Sequence, residues 1–165
     1  MSTRLQGNVF VTGTLAANGF TLPDASVSNS KVAAAANIEA TKLEQQYAIA
    51  YAQESSATAA AETKVVHAAY GSTGAAVAIQ AGMIDPNTGD AEVEVDLLLN
   101  GTTILTGPIT LTSAQSAGET VAGTLVGDPS YSAGDRLEIS VTTTPGSGSL
   151  GDGVFAGVIV RERAQ

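Results

Sequence analysis

From Lys64 onward the chain alternates apolar and polar residues with a period of two, in short runs broken by glycine- and proline-rich turns. Successive side chains of a strand point to opposite faces, so this pattern sends one face of each run into a core and the other into water. The first 63 residues do not show it. Their large apolar side chains are few and scattered among alanines, too few to close a core of their own. The expected organisation is a β domain over residues 63–165 preceded by an arm, residues 1–62, whose burial partner is another chain.

Strands are expected near 64–70, 75–84, 91–99, 102–106, 108–112, 119–126, 136–143 and 153–161. The clearest places Val93, Val95, Leu97 and Leu99 on one side and Glu92, Glu94 and Asp96 on the other. It runs into Asn100-Gly101, a pair that tolerates positive φ at both positions, and returns through Thr102-Thr-Ile-Leu. Short strands separated by turns, with no helices between them, predict a mainly β fold of two antiparallel sheets. An eight-stranded jelly roll fits the strand number, and an immunoglobulin-like sandwich is the alternative, because strand order is not written in one sequence. Only 4% of residues are aromatic and none is Trp, so the core must be aliphatic and thin-layered.

In the arm, Val9 and Val11, then Phe20 and Leu22, flank Asn18-Gly19 and predict a small hairpin, which is marginal in water without a neighbour. Alanine-rich runs behind Ser and Asn predict short helices over about 28–36 and 39–53. In the second, Thr41 and Glu44 have capping-box spacing, and Leu43, Tyr47 and Tyr51 recur every four residues. Residues 54–62 are small and polar and read as a linker or a fraying helix end.

Sixteen acidic against seven basic residues give a net charge of −9. Residues 1–63 account for −2 of it, through Arg4, Lys31 and Lys42 against Asp24, Glu39, Glu44, Glu54 and Glu62, so the β part carries −7. Basic residues are nowhere clustered enough to neutralise a run of phosphates, and no nucleic-acid partner is expected. No apolar window approaches the length of a membrane span, and the N-terminus has no apolar run of signal-peptide type, so no membrane partner is expected either. Without cysteine there is neither a disulfide framework nor a thiolate metal site.

No catalytic constellation emerges, and the chain is not expected to be an enzyme or to hold a cofactor or metal. His67, the single histidine, lacks a Cys or second His partner and reads as a structural contact instead of a base or ligand. Asp85, Asn87, Asp90 and Glu92 offer oxygen ligands, but Gly89 stands fifth rather than sixth and no Glu stands at position twelve, so a hairpin turn is the better reading than a calcium loop. The glycines of 146–153 lack the Lys-Ser/Thr of a phosphate cradle and read as a flexible loop. Glu92 and Glu94 share a strand face and read as its solvated side instead of a glycosidase pair.

Residues 7–47, with Gly7-Asn-Val-Phe-Val-Thr-Gly-Thr-Leu, Thr21-Leu-Pro-Asp-Ala-Ser-Val and Ala36-Asn-Ile-Glu-Ala-Thr-Lys-Leu-Glu-Gln-Gln, resemble the N-terminal segment of tailed-phage capsid decoration proteins, also called cement or head-fibre proteins. Val95-Asp-Leu-Leu-Leu-Asn-Gly-Thr-Thr-Ile-Leu and Ser132-Ala-Gly-Asp-Arg-Leu-Glu-Ile-Ser-Val-Thr resemble the jelly-roll domains those proteins carry. The resemblance implies a homotrimer made in the host cytoplasm and placed on the outer surface of an icosahedral head, with one part gripping the major capsid protein. Apolar residues without a partner in their own segment then supply the expected contacts: Val9, Val11, Phe20, Leu22 and Val27 toward the capsid, and Ile38, Leu43, Tyr47 and Tyr51 between chains. A receptor- or glycan-binding fibre protein, taking a host-surface glycan on Tyr70, Tyr131 or Phe155, is the alternative.

Overall fold

The computed structural model describes residues 44–164. They form ten strands and, among the described residues, no helix: β1 (Glu44–Ala52), β2 (Glu62–Ala68), β3 (Ser72–Asp85), β4 (Glu92–Leu99), β5 (Thr102–Thr103), β6 (Ile109–Leu111), β7 (Thr120–Gly123), β8 (Ser130–Tyr131), β9 (Arg136–Thr144) and β10 (Asp152–Ala164). The mainly β, antiparallel character expected from the alternation is what the molecule shows, and each of the eight expected runs contains a strand. β1 and β8 are additional.

The strands make two five-stranded sheets. One has the order β1-β10-β3-β7 with β8 also on β3, and the other β2-β9-β4-β5 with β6 also on β4. All pairs are antiparallel, and they nest: β1 with β10, β2 with β9, β3 with β7 and β8, β4 with β5 and β6. The chain thus runs outward to Asn100-Gly101 and returns along itself. The expected hairpin forms there, with φ of 51° at Asn100 and 81° at Gly101. These angles suit the mirror-image turn whose twist matches the flanking strands. The Asn100 side chain fixes the tip to a neighbouring turn, donating to Asp135 at 2.7 Å and accepting from the Arg136 N–H at 3.0 Å.

The expected helix over 39–53 is overturned across Glu44–Ala52, which is the edge strand β1 (the expected 28–36 helix and the hairpin at Asn18-Gly19 lie outside the described residues). Tyr47 and Tyr51 are four apart, but with Ile49 between them they also alternate, and it is this second period that pairing with β10 selects. Alanine's helix preference of some tenths of a kcal/mol per residue is a weak prior against a nine-residue ladder that buries Tyr51. Nor is 54–62 a free linker. Ala59 is buried and its N–H bonds the Gly151 carbonyl at 2.8 Å, while the Gln53 side chain bonds Ala60 in both directions. The sandwich therefore includes β1 and this connection, both on the arm side of the boundary expected at 62/63.

One core lies between the sheets, with Val93, Val95 and Leu97 of β4 and Leu137, Ile139 and Val141 of β9 facing Ile79, Ala81 and Met83 of β3 and Val154, Val158 and Val160 of β10. Each such aliphatic side chain contributes about 1.5–3 kcal/mol on burial. A bulge keeps β3 in phase: Ile159 pairs with Ala78 and Val160 with Ala76, leaving Val77 unpaired and exposed. The extra residue lets both Ala76 and Ile79 point inward.

Candidate functional site

Three strands and the start of a fourth converge on Glu162 near the C-terminal end of β10. Tyr47 of β1 donates its hydroxyl to Oε2 at 2.5 Å, His67 of β2 places Nε2 2.8 Å from Oε1, and Ser72 at the start of β3 donates to Oε1 at 3.1 Å. The His67 ring stands edge-on to Tyr47 and to Tyr131 of β8, with centroids 6.2 and 5.6 Å apart. Gly74 makes room for this: a Cβ there would lie 2.6 Å from the Tyr131 ring. His67 belongs to the second sheet and Glu162 to the first, so the cluster ties the two together where the core ends.

Burial works against the Glu162 charge, but hydrogen bonds led by Tyr47 and then His67 more than offset it, and the carboxyl is held below its ordinary range. Burial, reinforced by the bond to that carboxylate, pushes Tyr47 up to about 12. The Tyr131 hydroxyl is buried without a hydrogen bond of good geometry, and burial first, then the adjacent Glu162 charge, raises it as well. With its oxygens already occupied by three donors, Glu162 serves as a clasp. His67 takes part in that clasp as an inter-strand contact.

A second cluster lies at the other end of β1. Tyr51 donates to Glu62 at 2.6 Å, Gln53 reaches the same oxygen at 3.1 Å, and Lys64 pairs with Glu62 at 2.9 Å. The bond from Tyr51, then that from Lys64, keeps Glu62 below its ordinary range. Of the residues expected between chains, Tyr51 is therefore buried in its own sandwich, and Tyr47 is 38% exposed with its hydroxyl committed to Glu162. Ile38 and Leu43 lie outside the described residues, as do Val9, Val11, Phe20, Leu22 and Val27.

The acidic turn and the glycine loop meet. Asn87 is buried, donating to the Leu111 carbonyl at 2.7 Å and accepting from the Gly151 N–H at 2.8 Å. Asp90 accepts from the Ser147 N–H at 2.7 Å and its hydroxyl at 2.9 Å, which holds the Asp90 carboxyl low. Among the described residues no three His, Asp or Glu side chains are grouped to hold a metal ion. The glycine loop packs against the acidic turn: a Cβ on Gly148 would lie 1.8 Å from the Thr88 carbonyl, so its glycines permit close approach.

The outer faces of the sheets differ. On β4 and β9 the outward residues include Glu92, Glu94, Asp96 and Glu138, with Arg136 bonded to Glu138 at 2.7 Å. On the other sheet three successive cross-strand rows read Ala48, Ile159 and Ala78; Ala50, Gly157, Gln80 and Ala122; and Ala52, Phe155, Gly82 and Thr120. No ionisable residue stands in them. Charges enter beyond the rows, where Arg161 pairs with Glu44 at 2.6 Å beside an open groove of about 460 Å³ that Asp128 also lines. Sequence reasoning missed this face because alanine and glycine carry no alternation signal of their own. It missed Glu162 and Tyr131 because their partners are remote in sequence, although an acidic residue continuing the apolar run of β10 was a clue.

Compared with models of known protein families the chain matches none, and no curated protein matches it.

Proposed function

We propose that the sandwich is a jelly roll and that the chain is a structural virion protein, a homotrimer that decorates the outside of a tailed-phage head by binding the major capsid protein. The nested pairing carries the reading. If β5 with β6, and β7 with β8, each count as one interrupted strand, the ladder is an eight-stranded hairpin rolled into two sheets of order 1-8-3-6 and 2-7-4-5. That is the strand number and double Greek-key connectivity of a jelly roll. It agrees with the resemblance of Val95–Leu105 and Ser132–Thr142 to the domains of decoration proteins. The capsid-binding role is supported by the sequence ahead of β1, whose large apolar residues, Val9, Val11, Phe20, Leu22 and Val27 among them, are by composition too few for a separate core.

The test is co-sedimentation with undecorated phage heads. The full chain is expected to pellet with them, and deletion of residues 1–35 to abolish pelleting while the β-sheet circular dichroism persists. A truncated chain that still decorates heads would refute the assignment of those anchors.

One observation favours the receptor-binding alternative. Tyr70, in the turn between β2 and β3, is 98% exposed, whereas Tyr131 is buried and Phe155 lies over Gly82. A sugar platform would rest on Tyr70, so glycan binding that survives Tyr70→Ala would remove the ground for it.

A further inference from the structure

An antiparallel sheet with one face on a core ordinarily shows polar side chains on the other. The β2-β9-β4 sheet does so and the β1-β10-β3-β7 sheet does not. Its three uncharged rows are flanked by Val77 and Ile84, 42% and 44% exposed, and a groove of about 420 Å³, with Asp128 and Arg161 in its lining, runs between β3 and residues 122–128. A contiguous patch of this kind marks an interaction surface.

We propose that this face is where copies of the chain pack against one another, an inference that rests on the homo-oligomeric part of the reading above and names its surface. Charge points to a second copy as the occupant. The chain carries −9, and a large share of the β part's acidity stands on the opposite outer face, at Glu92, Glu94, Asp96 and Glu138. Copies meeting through the uncharged rows keep those carboxylates on the far sides and bury no unpaired ion. A strongly acidic or basic partner would find nothing in the rows to pair with. The three rows, about 20 Å along strands set about 4.8 Å apart, present roughly 400 Å², half of the approximately 800 Å² per partner that a stable interface buries, and Val77 and Ile84 extend the face beyond them. The small residues matter too, since a flat face of Ala and Gly lets the sheets of neighbouring copies approach closely around a shared axis.

The experiment is sedimentation equilibrium of the full-length protein over a range of concentrations. It compares wild type with the double variant Val77→Lys, Ala50→Lys and with Thr110→Lys on the opposite sheet. Lysine lowers the net negative charge, so weaker association of the double variant would not come from greater overall repulsion. The wild type and Thr110→Lys should associate alike, and the double variant should dissociate about 30-fold more readily or worse, as when a charge is placed at an interface centre. Its circular dichroism should match wild type; if it does not, Ala122→Lys on the same face is read in its place. An associated wild type with an equally associated, folded double variant would overturn this face and leave the oligomer standing. A wild type that stays monomeric at every concentration would overturn both.

Discussion

The two outer faces of the sandwich are built on the same pleat and on opposite chemistry. The β2-β9-β4 sheet turns Glu92, Glu94 and Asp96 toward water, with Glu138 buried and bonded to Arg136, while the β1-β10-β3-β7 sheet displays alanine, glycine and a few larger apolar groups. The first face is the more interchangeable in detail, because most of its side chains reach solvent. The second is not, because its glycines let neighbouring groups lie directly on the backbone. An outward position is therefore not a permissive one everywhere.

That difference is open to direct attack. The largest effect is expected from Gly82→Ala, whose Cβ would come 2.3 Å from the Glu119 carbonyl and 2.6 Å from the Phe155 ring. Relieving both should cost about 2–3 kcal/mol in chemical denaturation. Should the variant prove as stable as wild type, the packing of Phe155 over β3 is wrong. Next comes Glu162→Gln, which breaks a charged clasp between the sheets and should cost about 2 kcal/mol at neutral pH. Because the folded-state pKa of Glu162 is depressed, its contribution is present above the ordinary carboxylate range and lost as pH falls through the folded value. The variant should therefore show a flatter acid limb, and an unchanged limb in a stability-versus-pH series would contradict the clasp.

Tyr47→Phe removes one donor to that carboxylate and should cost about 1 kcal/mol. The raised folded pKa of Tyr47 gives stability that is complete below pH 10 and lost as pH rises through about 12, so this variant should lose part of the alkaline transition. Smallest of all, Ser140→Ala on the acidic face should shift stability by less than about 0.5 kcal/mol. A larger loss would erase the contrast between the faces.

How much of this was legible follows from the same contrast. Where a strand has one wet and one dry face, as in β4 and β9, the alternation of Val93, Val95 and Leu97 with Glu92, Glu94 and Asp96 is strong and was readable. Asn100-Gly101 was readable because its chemistry is local. β1 was misread as a helix: with alanine on its outer side, Tyr47 and Tyr51 fit either period, and the choice is made by β10, more than a hundred residues away. β8 is two residues long and leaves no pattern. The Glu162 clasp joins residues from five separate parts of the chain, and no local spacing encodes such a meeting. Strand order was likewise silent, since it is a property of pairings.

The position of β10 has a consequence for how the molecule comes together. It lies between β1 and β3, yet follows every other strand in sequence. Until it arrives, β1 has nothing to pair with and the first sheet is two pieces, so the decisive closing step joins the most distant parts of the chain. Such a topology folds slowly for its size. It also means that the small-residue face does not exist on a nascent chain, and the surface proposed for contact between copies is withheld until each one is whole.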